Sequence, residues 1–115
     1  MNRTAILAIS LTLTAAAAGA QTTAAPAPER TAQLVRMVRQ DCGSCHGMQL
    51  TGGLGPALTR EALVAKPPEY LAAVITHGIP GTPMPPWSAL LTPNEAQWIA
   101  QQLANGFPEE RKQSR

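Results

Sequence analysis

An all-α domain of helices and long structured loops is the fold class the sequence predicts, and three observations carry that prediction. No segment shows the apolar-polar alternation of a half-buried strand, whereas apolar residues recur at helical spacing around Leu34, Leu71 and Trp98. The intervening stretches are rich in Gly and Pro, with 9 and 11 of each in 115 residues, so long loops must separate the helices. Aromatic residues are scarce: Tyr70, Trp87, Trp98 and Phe107 are all of them. A domain this small with so few large side chains builds a thin core, which a cross-link or a large bound group must complete.

Composition narrows the function. A charged fraction of 14% beside a hydrophobic fraction of 44% is unlike a disordered polyelectrolyte, and the length excludes a multidomain enzyme. The formal charge is +2, and the nearest approach to a basic cluster is Arg111, Lys112 and Arg115 at the end of the chain. Nucleic acid is therefore not an expected partner.

The elements follow in order. Met1-Asn2-Arg3, the apolar run from Ala5 to Ala18 and the small residues Ala18-Gly19-Ala20 describe a secretory signal over residues 1–20. The competing reading, a transmembrane helix, needs roughly 20 apolar residues, and this run has about 14. An exported chain starting near Gln21, with no membrane anchor after cleavage, is the expectation. Residues 21–30 read as a flexible Thr/Ala/Pro lead. A helix is predicted over 31–40, capped by Thr31 and carrying Leu34, Val35, Met37 and Val38 on one face. Gly47 to Leu58 contains Gly52-Gly53 and Gly55-Pro56 and is a loop. Thr59 caps a short turn through Leu63. Lys66-Pro67-Pro68-Glu69 opens a helix with Tyr70, Leu71, Val74 and Ile75 as its apolar positions, and Gly78 ends it. Ile79 to Trp87 holds four prolines and is a rigid loop. Thr92-Pro93-Asn94-Glu95 combines an N-cap, a first-turn Pro and a capping-box Glu ahead of Trp98, Ile99 and Leu103. That helix ends at Asn105-Gly106. The domain thus spans 31–106, and 107–115 reads as a polar tail.

Both cysteines fall in Cys42-Gly43-Ser44-Cys45-His46, the C-x-x-C-H pattern of covalent c-type haem attachment. Two thiols three residues apart on one helical turn can each add to a vinyl group on the same porphyrin edge. The adjacent His46 is then aimed at the iron from the proximal side. Three other readings use the same residues. A thioredoxin-type redox pair expects a βαβ context that is missing from the sequence. A Cys42–Cys45 disulfide closes too small a loop to stabilise much. Zinc would need Cys42, Cys45, His46 and His77 together.

A haem held by His46 alone leaves one axial position open, and Met37, Met48, Met84 and His77 are the candidates to close it. Met37 lies on the apolar face of its helix and reads as core. Met48, two residues from His46, is too close to cross the porphyrin. Met84 sits in the loop stiffened by Pro83, Pro85 and Pro86, which suits a soft sulfur ligand whose weak bond is offset by positioning. His77, near a helix C-terminus, reads as a half-exposed helix-end residue. It is also an alternative distal ligand in another redox or oligomeric state, with Gly78 and Gly81 as hinges.

With Cys42 to His46, Gly55-Pro56, Met84-Pro85 and a terminal helix carrying Trp98-Ile99, residues 31–105 resemble the class I cytochromes c. The resemblance implies their fold, one covalent haem c with its iron, Met84 as the distal ligand and the Pro56 carbonyl as acceptor for the His46 ring N–H. Gly78 to Trp87, Leu91-Thr92-Pro93 and the Thr51 to Pro56 loop are similar to the small periplasmic cytochromes of the haem-d nitrite reductase cluster, the NirC group. That similarity implies the periplasm and a role in denitrification, as electron donor to the reductase or in maturation of its haem d. Its partners would be redox proteins, either that reductase or a haem d biosynthesis enzyme.

One-electron transfer is the expected function. No general base, activated nucleophile or paired carboxylates accompany the motif, so the chain reads as an electron-transfer protein and not an enzyme. The alternative is a haem-based ligand sensor or small peroxidase-like enzyme with a labile sixth ligand. A third reading, a maturation factor that hands on a tetrapyrrole intermediate, predicts a specific complex with a biosynthetic enzyme. A monomer is expected, and exchange of the C-terminal half would permit a swapped dimer.

Overall fold

A computed structural model describes residues 23–110. The signal segment 1–20 and residues 111–115 of the tail lie outside the described residues. Five α-helices and one π-helical turn follow each other: α1 Pro28–Met37, the turn Val38–Cys42, α2 Gly43–His46, α3 Arg60–Leu63, α4 Pro68–His77 and α5 Pro93–Asn105. Among the described residues there is no strand, and no helix is long and apolar enough to cross a membrane.

Helix α1 begins three residues earlier than its cap signal indicated. Thr31 lies inside the first turn, where its N–H donates to Ala27 O at 2.8 Å and its hydroxyl donates to Pro26 O at 3.0 Å. Pro28 starts the helix instead, because its fixed φ suits the first turn and its missing N–H costs nothing there. The other caps follow local chemistry. Thr59 Oγ1 accepts from Ala62 N at 3.3 Å, and Thr92 and Glu95 form a reciprocal capping box. Gly78, at φ +66°, ends α4.

The core collects Leu34, Val35 and Val38 from the N-terminal helix and turn, Leu71 and Ala72 from α4, and Trp98, Ile99, Ala100 and Leu103 from α5, with Leu50, Leu63 and Leu91 from the connections. On α4 the expected Leu71 is buried and Ile75 packs against the core, but Tyr70 is not part of that stripe. Ala72 is inside, while Tyr70 is exposed with the Lys66 ammonium 5.9 Å from its ring.

Ion pairs join the N- and C-terminal helices. Arg30 Nε donates to Glu95 Oε1 and Nη2 to Leu90 O at 3.2 Å. The Arg30 guanidinium, together with the backbone N–H of Thr92, holds the Glu95 carboxyl down at about 2. One helical turn before the cysteines, the buried Arg39 donates from Nη2 to Phe107 O and Pro108 O, each at 2.9 Å, and to Glu109 at 3.1 Å. Its guanidinium lies 5.7 Å from the Phe107 ring, which meets Trp98 edge-on at 6.4 Å. Of the polar tail expected over 107–115, Phe107 and Pro108 are thus tied to the domain, whereas Glu109 and Glu110 are exposed. Phe107 and Pro108 are half-buried, with the Phe107 ring packed against the core.

Candidate functional site

The π-helical turn delivers the cysteine motif. Its wider hydrogen bonding accommodates an extra residue between α1 and α2, a local irregularity that is frequent at functional sites. Cys42 closes the turn and packs half-buried against the core, whereas Cys45 is exposed on α2. Burial, reinforced by the Asp41 charge, pushes the Cys42 thiol up to about 11. A thiol that stays protonated is the opposite of the low-pKa thiolate that a redox-active pair needs. Both sulfurs are free, and among the described residues no three His, Cys, Asp or Glu side chains are gathered to hold a metal ion. His77 does not join Cys42, Cys45 and His46 in a four-ligand cage, so the zinc reading has no site.

His46 is positioned by the glycine loop that follows it. Its Nδ1 lies 2.7 Å from Pro56 O. A carbonyl can only accept, so Nδ1 carries the proton and Nε2 keeps its lone pair for a metal. The loop reaches this position by folding back on α2: Gly52 N donates to His46 O and Gly55 N to Cys45 O, each at 2.8 Å. Gly55 has a second purpose that the sequence reading missed. A Cβ there would lie 2.7 Å from His46 Cε1 and 2.8 Å from Nδ1, so the imidazole rests directly against the glycine backbone. The Gly-Pro dipeptide was the available signal, but it pointed only to the proline.

Met84 is half-buried between exposed Pro83 and Pro85. Ile79 N donates to Met84 O at 3.2 Å, and Trp87 N donates to Ile75 O at 3.0 Å, pinning the loop to the last turn of α4. The Thr82 hydroxyl donates to Ile79 O at 2.7 Å and accepts from Met84 N at 3.3 Å, a brace the sequence reading also missed. At Gly78 a Cβ would come within 2.7 Å of Met84 O, so the loop closes over a position that tolerates no side chain. His77 is exposed as the last residue of α4, Met37 is half-buried against the core, and Met48 is exposed beside Gly43.

These donors suit a haem. Two free thiols can add to vinyl groups, an imidazole presents Nε2, and a thioether is carried on a braced loop. The absence of a side chain at Gly55 lets its backbone lie against the imidazole.

Comparisons with known proteins agree. The family model described as cytochrome c oxidase, cbb3-type, subunit III matches residues 29–102. Cytochrome c55X of Stutzerimonas stutzeri is 56% identical over 85 residues, which cover 74% of this chain and 75% of that protein. A solved structure of the c-type cytochrome NirC is 55% identical, covers 70% of this chain and 94% of that one, and superposes with a TM-score of 0.68. Dihydro-haem d1 dehydrogenase NirN, solved in complex with DHE, is 34% identical with a TM-score of 0.58. The match takes in 69% of this chain but 17% of that much longer one.

Proposed function

The chain belongs to the c-type cytochrome family, and on that premise we propose that it is a periplasmic one-electron carrier of the haem-d nitrite reductase system. Its cofactor is one covalently bound haem c with its iron, which supplies a centre that changes by a single electron between ferric and ferrous. In this reading Cys42 and Cys45 hold the group through thioethers, His46 is the proximal iron ligand and Met84 the distal one. Protonated Nδ1, bonded to Pro56 O at 2.7 Å, fixes the tautomer of His46 and raises the basicity of Nε2. The Thr82 and Ile79 hydrogen bonds brace the Met84 backbone, which would help both ligands stay bound in either oxidation state.

The observation that carries the proposal is this double bracing. Ligands whose surroundings are held in place would keep the structural rearrangement on electron transfer small. A ligand sensor or peroxidase-like enzyme needs the opposite, a sixth position that opens. His77 stands as the alternative distal ligand if the Met84 loop is displaced.

The system is inferred from the similarity to NirC and to part of a dihydro-haem d1 dehydrogenase. Dehydrogenation releases two electrons, and a one-electron carrier accepts them one at a time. The chain would serve either that oxidation, during maturation of haem d, or reduction of the nitrite reductase itself.

The test begins with visible spectra of the periplasm-matured protein, oxidised and dithionite-reduced. Sharp reduced bands with a weak red charge-transfer band in the ferric form are expected, and Met84→Ala should abolish the red band. A high-spin ferric spectrum of the parent protein, with rapid carbon monoxide binding on reduction, would overturn the carrier in favour of a sensor. Stopped-flow mixing of the reduced cytochrome with haem-d nitrite reductase, and of the oxidised form with the dehydrogenase and its substrate, then separates the two roles.

A further inference from the structure

The residues that lead into the cysteine motif, Val38–Cys42, leave the α-helical path. Gly43 N donates to Val38 O, five residues back, as well as to Gln40 O, and Ser44 Oγ donates to Asp41 O at 2.7 Å. Such turns are rare, and a sparsely populated backbone persists only where the surrounding structure over-determines it. The effect of this one is rotational. Each residue of an α-helix turns the chain by about 100°, so relaxing the one-residue bulge would swing Cys42, Cys45 and His46 around the axis of α1 by about that angle. Cys42, packed against the core, and His46, bonded to Pro56 O, both depend on the rotation the turn provides.

Arg39 lies inside this turn and is 8% exposed. A buried guanidinium loses its water and must find partners within the protein. Every hydrogen-bond partner of its side chain among the described residues comes from the segment that follows α5. Nε donates to Pro108 O at 3.1 Å, and Nη2 donates to Phe107 O and Pro108 O at 2.9 Å and to Glu109 Oε1 at 3.1 Å. The Glu109 carboxylate is exposed and adds little, so the two carbonyls set the position. Burial alone does not call for a cation here. The neighbouring Val38 is fully buried, and an apolar side chain at position 39 would be covered without the cost of desolvating a charge. What a planar guanidinium adds is direction, because its donors are fixed in a fork.

We propose that Arg39 is a positioning residue: bound to the backbone of Phe107 and Pro108, it holds the π-helical turn and so fixes the rotation at which Cys42, Cys45 and His46 meet the haem. The role rests on the haem attachment proposed above and assigns the part of the chain that aims it.

Amide hydrogen exchange and NMR of the ferric, haem-loaded protein test this. Gly43 N–H reports on the turn, and Gly78 N–H, which donates to Val74 O at 2.8 Å, reports on the remainder of the fold. In Arg39→Met the exchange rate at Gly43 should rise at least about tenfold more than at Gly78, because the opening is local. The His46 ring and Cys45 resonances should shift, while the Met84 band stays as in the parent. Arg39→Lys keeps the charge but has a single donor head, so its excess at Gly43 should be about threefold; it serves if the Met variant does not accumulate. Equal acceleration at Gly43 and Gly78 with unshifted His46 and Cys45 resonances would overturn the positioning role while the carrier stands. Loss of the Met84 band along with the His46 shifts would overturn it too, since the change would then not be confined to the turn. A parent protein that carries no covalent haem would overturn both.

Discussion

The seam between α1, the π-helical turn and α5 is held together by side chains, whereas the loops that present His46 and Met84 are held by backbone. On the seam, Arg30 pairs with Glu95 and Arg39 binds three successive residues of the C-terminal segment, above a stripe of buried Leu, Val, Ile and Trp. On the loops there is no such pair. Order there comes from Gly47 at φ +87° and Gly78 at φ +66°, from prolines, and from short carbonyl hydrogen bonds. The difference teaches how a thin core can be divided: long-range side-chain contacts tie the seam, and backbone geometry alone shapes the loops.

That division can be tested from the largest effect to the smallest. Replacing Cys42 and Cys45 with Ala together would remove the proposed thioether attachment of the haem. The purified chain should then show no cooperative transition by scanning calorimetry, because haem binding and folding are coupled; a sharp transition would mean that the seam folds alone. On the loop side, Gly78→Ala forces a Cβ towards Met84 O at a φ that side chains rarely adopt, at a cost of about 3 kcal/mol. The ferric red charge-transfer band should weaken while the His46 environment, followed by NMR, stays unchanged.

On the seam, Arg39→Met keeps bulk but leaves the Phe107 and Pro108 carbonyls without their donor. Denaturant unfolding should show a loss of about 2 kcal/mol with an unaltered Met84 band, the reverse of the Gly78 result. The smallest effect concerns pH. Glu95 is held at about 2 in the folded chain, below the ordinary 4.5, so the unfolded chain takes up this proton first as pH falls. The contribution of the Arg30–Glu95 pair is therefore complete above about pH 4.5 and is lost as pH falls towards 2. Arg30→Gln should lower stability slightly at neutral pH and flatten its decline across that window.

How much was legible in the sequence depended on how local the cause was. The Cys42 to His46 motif, the Thr92–Glu95 capping box, the Thr59 cap and the Gly78 stop are each written within a few consecutive residues, and each element forms as its residues indicate. Thr31 shows where local reading misleads. Its hydroxyl could have capped a helix, but Pro28 lay upstream and extended α1 by three residues. Tyr70 sits at a plausible apolar position, yet Leu71 and Ala72 face α5, because the direction a helix turns its stripe is set by what it packs against.

By itself, then, the sequence determined the helical class, the order of helices and loops and the Cys42 to His46 motif, since all of these follow from spacing along the chain. Tertiary structure alone decided that the C-terminal segment is strapped to Arg39 and that the His46 ring rests on Gly55. It also decided that Leu54 is left exposed beside Cys45. Those contacts join residues whose separation in sequence says nothing of their distance in space. They form only when the core has fixed the relative placement of the elements that carry them.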